Sequence, residues 1–392
     1  MTAKTPSGSS PGDPGPSTPI WRGILSEWPL LASVTTGALF VAFGGGWLAD
    51  LSNPLWYAFI MAWLFGVILA AAFSVVHHAE ALAERLGEPL GTLILTLAVT
   101  GIEVMMISAV MYAGPGNAAM ARDAMFAVIM IVMNGMVGLA LLLGGLRFRE
   151  QTYNLAGANA FLAVIVPLGV LGLVIPNFTH SSPGPTLSSL HSIFLIVMAL
   201  SLYAVFLAIQ NVVHRDYFLD PAEGAARTPA TAGHAGEAAH PAPSLVYHGL
   251  LLVVNILPLV LLSKKLAIPI EHGIDTLHAP AAMGGFLVAI LILSPESLGA
   301  IRAALRNQLQ RAVNILLGSV LATISLTIPS VLVIGFLTNR EIVLGLDEVG
   351  MILLVLTLAV SAITFNSQKT NVLLGAVHLI LFVAYLMLMF DR

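Results

Sequence analysis

From about Leu30 onward the chain alternates between apolar stretches of some twenty residues and short polar breaks, the length a helix needs to cross a hydrocarbon layer. The pattern predicts eleven membrane-spanning helices, at about 29–48, 55–76, 89–113, 122–145, 156–176, 190–212, 245–263, 279–301, 311–336, 346–366 and 370–390. Residues 1–28 are dominated by Pro, Gly, Ser and Thr and are expected to be a disordered tail. No apolar run follows the first basic residue closely enough for a cleavable leader. The longest polar break, 213–244, contains RTPATAGHAGEAAHPAPS and reads as a flexible linker. It divides the spans into a leading helix (29–48), a block of five (55–212) and a second block of five (245–390).

Composition agrees with this reading. Of 392 residues 58% are hydrophobic and 9% charged, against roughly 25% charged in soluble domains. Such a chain is an all-α integral membrane protein, and soluble enzymes and nucleic-acid binders are excluded as classes. The absence of cysteine removes disulfides, thiolate metal sites and a cysteine nucleophile. With the tail placed inside, eleven of the sixteen Lys and Arg residues fall in inside segments, so the tail and the linker are expected in the cytoplasm and the C-terminus outside. A five-helix block repeated in tandem inverts its topology, an architecture of gradient-driven carriers whose ion site lies near the midplane between repeats.

Two acids interrupt the apolar pattern in mid-span. Glu103 lies in TLILTLAVTGIEVMMISAVMY and Glu296 in GGFLVAILILSPESLGAI, each in the second helix of its block. An ionisable group at that depth costs about 2.5–3.5 kcal/mol even on lenient insertion scales, so it usually serves a function. The bland alternative is a protonated carboxyl bonded to a neighbouring helix. Pro295, just before Glu296, is expected to break the helix near the site. Two carboxylates brought together supply hard oxygen ligands for Ca²⁺ or another hard cation. The same oxygens take protons when no cation is bound, which is the minimum chemistry of a cation/proton antiporter. Thr100 and Ser294, within a turn of the two acids, are supporting candidates, together with Asn134 in the fourth span and Asn314, Gly318, Ser319 and Thr323 in the ninth. Their plain alternative is packing, with Asn bonding a neighbour.

The segments HAEALAERLGEPLGTLILTLAVTGIEVMMIS, ARDAMFAVIMIVMNGMVGLALLLGG, SPESLGAIRAALRNQLQRAVNILLGSVLATISLTIPS and QKTNVLLGAVHL resemble the bacterial Cha-type calcium/proton antiporters of the calcium/cation antiporter superfamily. The likeness covers most of the chain from about residue 75. It implies that Glu103 and Glu296 are the paired cation and proton carboxylates. Leu86, Gly87, Glu88 and Gly91 then fall on the first part of the superfamily pattern, and Gly318 and Ser319 on its distant Gly-Ser. Where the superfamily has Gly-Asn ahead of each acid, this chain has Val99-Thr100 and Ile292-Leu293, and Ser297 replaces a histidine. The branch it resembles also exchanges Na⁺ and K⁺, so Na⁺/H⁺ or K⁺/H⁺ exchange stands beside the expected export of Ca²⁺ across the inner membrane.

The remaining signals are weaker. Glu80 and Glu84 read as solvated helix-end groups, and Asp123 suits the first turn of a helix. His77 and His78 read as a wet juxtamembrane segment, since HExxH is absent. His378, deep in the last span, is expected to bond a neighbour, and the linker histidines His234 and His240 to belong to a tether. There is no GxxxxGK[ST] phosphate loop, so transport is expected to run on ion gradients without a cofactor. The partners are then inorganic cations, protons and lipid. A passive cation channel and an intramembrane hydrolase are the rivals. The pair of acids within one chain speaks against the first, and no nucleophile–base or metal set in the spans speaks for the second.

Overall fold

The computed structural model describes residues 27–87, 90–111, 118–220 and 245–391. The protein is an all-α membrane protein. Its helices are α1 (Trp28–Ala42, continued by a turn at Gly44–Trp47), α2 (Pro54–Leu86), α3 (Leu90–Met111), α4 (Met120–Phe148), α5 (Leu155–Leu173) and α6 (Ser189–Val213) before the linker. After it come α7 (Leu245–Leu277), α8 (Ala282–Leu305), α9 (Leu309–Thr338), α10 (Glu348–Thr364) and α11 (Val372–Met389). Among the described residues nine of these are long and apolar enough to cross a membrane, and α1 and α10 are shorter apolar helices of 15 and 17 residues. The N-terminal tail to residue 26, Glu88, and the linker histidines His234 and His240 lie outside the described residues.

Sequence chemistry sets many of the ends. Asn53 caps α2 by accepting from the amides of Leu55 and Trp56, with Pro54 at the first helical position. Asn154, Ser188, Asp347 and Asn371 do the same for α5, α6, α10 and α11. Two departures from expectation concern length. α2 and α7 are each 33 residues, longer than the 22 and 19 that the hydropathy pattern suggests, because each helix continues past its apolar run through polar residues that stay largely exposed, such as Glu80, Glu84, Glu271 and Asp275. Residues 213–220 also belong to the packed structure: Phe218 lies edge-on to Phe161 and Phe206, so the tether begins later than residue 213.

α2 and α7 pack along one another, and α3 lies against both. One histidine expected in water, His78, is buried in that seam against His248. His78 is 1% exposed, with its Nδ1 3.0 Å from His248 Nδ1 and its Nε2 3.1 Å from Glu27 Oε2. Tyr247 donates to the other oxygen of Glu27 at 2.9 Å. The extra length of α2 carries His78 past the expected helix end and into contact with the start of α7, which ties the two five-helix blocks together beside the linker.

On the far side of the bundle α11 lies against α4. The approach depends on glycine: a Cβ on Gly375 would stand 2.5 Å from the Leu142 amide nitrogen and 2.8 Å from the Gly138 carbonyl oxygen. α8 then fills the middle, packed on α4 and α9. The third helix of each block carries one wider turn with i→i+5 bonding, at Met130–Met136 in α4 and Thr323–Thr327 in α9. Such turns interrupt the α-helical register and are frequent at functional sites.

Candidate functional site: a cavity with two glutamates

α3, α8 and α9 enclose a cavity of about 260 Å³ lined by both Glu103 and Glu296. Each acid has a hydroxyl partner from the same helix. Thr323 Oγ1 donates to Glu103 Oε2 at 2.7 Å, and Ser319 Oγ donates to Glu296 Oε2 at 2.5 Å. Ser319 and Thr323 are four residues apart and so share one face of α9. That helix therefore bridges the acid of the first block to the acid of the second. Glu103 is 2% exposed. Its second oxygen, Oε1, and the buried hydroxyl of Thr327, which approaches the same carboxyl, complete no well-formed hydrogen bond among the described residues. A buried carboxylate oxygen without a donor is costly unless a proton or a cation satisfies it.

The cavity also receives Thr100, Asn314 and Gly318. Thr100 is buried on the turn before Glu103. Asn314 lines the wall, but its polar atoms are engaged elsewhere: Nδ2 donates to the Phe218 carbonyl at 2.7 Å and Oδ1 accepts from Gln310 Nε2 at 2.8 Å. It anchors the segment after α6 beside the site.

Other expected ligands lie elsewhere. Ser294 donates to the Ile290 carbonyl at 2.5 Å and is not among the residues lining the cavity. α8 continues unbroken through Pro295, so the expected break is absent and the effect of the proline is to leave the carbonyl of Leu291 without its usual helical donor. Asn134 is farther still from its expected role. Its Nδ2 donates to Thr357 Oγ1 at 2.8 Å, and its Oδ1 lies 3.2 Å from His378 Nδ1, whose Nε2 is 3.0 Å from Thr364 Oγ1. All four residues are at most 1% exposed. This is a second polar cluster, between α4, α10 and α11, and His378 bonds neighbours in it as expected. Replacing Asn134 with Ala removes the partner of the imidazole Nδ1 and the donor to the Thr357 hydroxyl, at about 1–3 kcal/mol each. N134A is therefore expected to lower the melting temperature of the purified protein while leaving the half-saturating cation concentration unchanged. An altered cation affinity with unchanged melting would return Asn134 to the site.

At the opposite end of the bundle from the linker, Asp123 is paired with Arg122 at 2.8 Å, and Arg122 also donates to the Gly345 carbonyl. Glu80, expected to be merely solvated, lines the mouth of the glutamate cavity. Thr327 was not legible as a site group in the sequence, because the wide turn at Thr323–Thr327 shifts it off the 3.6-residue face that Ser319 and Thr323 share. Phe161, Tyr203 and Phe206 of α5 and α6 close the cavity with aromatic surface, and nothing in their spacing announces it. Among the described residues no group of three or more His, Cys, Asp or Glu side chains could hold a metal ion. A cation between these glutamates would thus draw its remaining oxygens from hydroxyl and backbone groups.

The family described as sodium/calcium exchanger protein matches residues 56–212 and 247–390. The chain belongs to that family. The two matched segments flank the linker and carry one of the two glutamates each. The sodium-potassium/proton antiporter ChaA of Escherichia coli (strain K12) is 41% identical over 344 residues, which span 88% of this chain and 92% of that protein. The Ca(2+)/H(+) antiporter of Aphanothece halophytica is 23% identical over 252 residues, 62% of this chain and 66% of that one. Among solved structures, native YfkE superposes with a TM-score of 0.70 at 17% identity, covering 93% of this chain and all of that one. The H+/Ca2+ exchanger CAX does so at 0.62 and 15% identity, covering 92% of this chain and 88% of that one. At those identities the two structures speak for the fold alone.

Proposed function

We propose that this exchanger-family chain is a secondary cation/proton antiporter in the inner membrane, with Glu103 and Glu296 as its alternating cation and proton site. The observation that carries the reading is the convergence of the two acids, one from each five-helix block, in one cavity under the hydroxyls of a single helix. The likeness of the blocks supports an inverted pair of repeats. Each opens with a helix of 33 residues, continues with the acidic helix and has a wide turn in its third helix. The tail and the linker face the cytoplasm, on the distribution of Lys and Arg.

In this mechanism a cytoplasmic cation binds the ionised pair, the site opens outward, and protons from the acidic side neutralise the carboxylates and displace the cation. A site that is empty and charged crosses at high cost, so influx of protons and efflux of cation are coupled. Two carboxylates balance a divalent ion, which favours Ca²⁺. The second reading, Na⁺ or K⁺, is favoured by the name of the relative at 41% identity and by the small number of polar side chains around the pair.

Reconstituted vesicles enclosing a pH-sensitive dye separate these readings. Ca²⁺, Na⁺, K⁺ and Mg²⁺ are added in turn across an imposed pH gradient. Collapse of the gradient by Ca²⁺ at the lowest concentration is expected. Collapse by Na⁺ or K⁺ alone moves the substrate to a monovalent ion, and no proton movement with any of them, for folded protein, refutes the antiporter.

A further inference from the structure

At the linker end of the bundle α2, α8 and α9 leave a second cavity, of about 410 Å³, whose polar wall is formed by Arg302, Arg306, Arg311, His77, Glu80 and Gln308. Val76, Glu80, Pro295, Gly299 and Arg311 line this space and the glutamate cavity alike, so it is the vestibule of the site. Its charge is the wrong sign for that position. Three arginines and one glutamate line it, all exposed, and no side-chain hydrogen bond or ion pair engages any of the four among the described residues. A cation moving toward Glu296 would pass a surplus of two positive charges.

Placement at the C-terminal end of α8 explains why Arg302 and Arg306 are tolerated singly. It does not explain why a third arginine, from the first turn of α9, converges on the same space. Guanidinium presents a planar fork of donors that matches phosphate oxygens in pairs, and three such forks around one cavity form a receptor for an oxyanion. Exposed Phe73 and Leu298 line the same space and suit the acyl chain of a lipid whose headgroup sits among the arginines.

We propose that the vestibule binds a phosphate oxyanion, free or carried on a lipid headgroup, and that the bound anion neutralises the arginines and opens the way for the cation. Binding is measurable without transport, so the proposal can fail while the exchange reading stands, and the reverse.

The test uses the full-length protein in detergent and in vesicles. Thermal unfolding in detergent is followed with sodium phosphate against sodium chloride at equal ionic strength. In parallel, dye-reported exchange is compared in vesicles of phosphatidylcholine alone and with added phosphatidylglycerol. The expected result is a higher melting temperature in phosphate, a lower half-saturating cation concentration with phosphatidylglycerol, and loss of both responses in the R302Q/R306Q variant. A response to phosphate alone assigns the site to a soluble anion, and a response to phosphatidylglycerol alone assigns it to lipid. Equal behaviour of wild-type protein in phosphate and chloride, with no effect of phosphatidylglycerol, overturns the proposal even if the variant does not fold. So does a folded variant that responds as wild type does.

Discussion

Glu103→Gln and Glu296→Gln are each expected to abolish exchange while leaving the protein folded in the membrane. Glutamine keeps the volume and can still accept from Thr323 or Ser319, so the hydroxyl contacts at 2.7 and 2.5 Å survive in altered form. What disappears is the ionisable oxygen pair. Removing one member of a buried charge interaction costs about 3–5 kcal/mol, roughly a hundred- to several-thousandfold in cation affinity at about 1.4 kcal/mol per factor of ten. A residue that cannot be protonated and deprotonated also carries no counter-transported proton. The measurement is cation-induced collapse of a pH gradient in vesicles, with insertion and melting checked in parallel. Normal exchange by both folded variants would sink the assignment of the site.

Thr323→Val should give the next largest loss. The hydroxyl is 1% exposed and serves the more deeply buried of the two acids. Valine replaces it with a methyl group of the same shape, leaving Glu103 without its donor among the described residues. Hydrogen bonds to charged groups contribute about 1.5–3 kcal/mol, which converts to a loss of roughly ten- to a hundredfold in apparent cation affinity. Thr323→Ser restores the donor and is expected to recover most of it. If T323V exchanges as well as wild type and T323S behaves no differently, the contact is packing only and α9 does not bridge the two acids. Thr323 lies at the start of the wide turn of α9, so a further check is whether helical content and melting stay constant across the pair.

Much of the candidate site was legible in one dimension. Glu103 and Glu296 stand out because an ionisable group inside a long apolar run has few structural reasons to be there. The small and polar residues of the ninth span were visible for the same reason. Asn134 was equally visible, with two destinations open, and it takes the plainer one: it joins Thr357 and His378 rather than the glutamates. Composition says that a buried amide must find a partner, and it does not say on which helix. The wide turns sharpen the difficulty. One additional residue in a turn rotates everything after it by about 100° relative to a regular helix, so a face drawn from a 3.6-residue period is displaced in α4 and α9, where the two polar clusters are built. His78 shows the converse error. A histidine beyond the end of a hydropathy peak reads as wet, yet its helix continues and a second histidine and Glu27 cover it.

The amino-acid sequence by itself determined that this protein lives in the bilayer, where its helices lie, that two of them carry an acid, and, through its matched segments, to which family it belongs. These are properties of single segments in contact with lipid, because the transfer of each apolar run into hydrocarbon is decided by its own residues. The tertiary structure alone decided that the two acids share one cavity, that α9 holds both of them, that Asn134 and Ser294 are engaged elsewhere, and that three arginines stand at the entrance. Those are properties of pairs of helices. Within the bilayer, packing and side-chain hydrogen bonds select the partners, and hydropathy is blind to that selection.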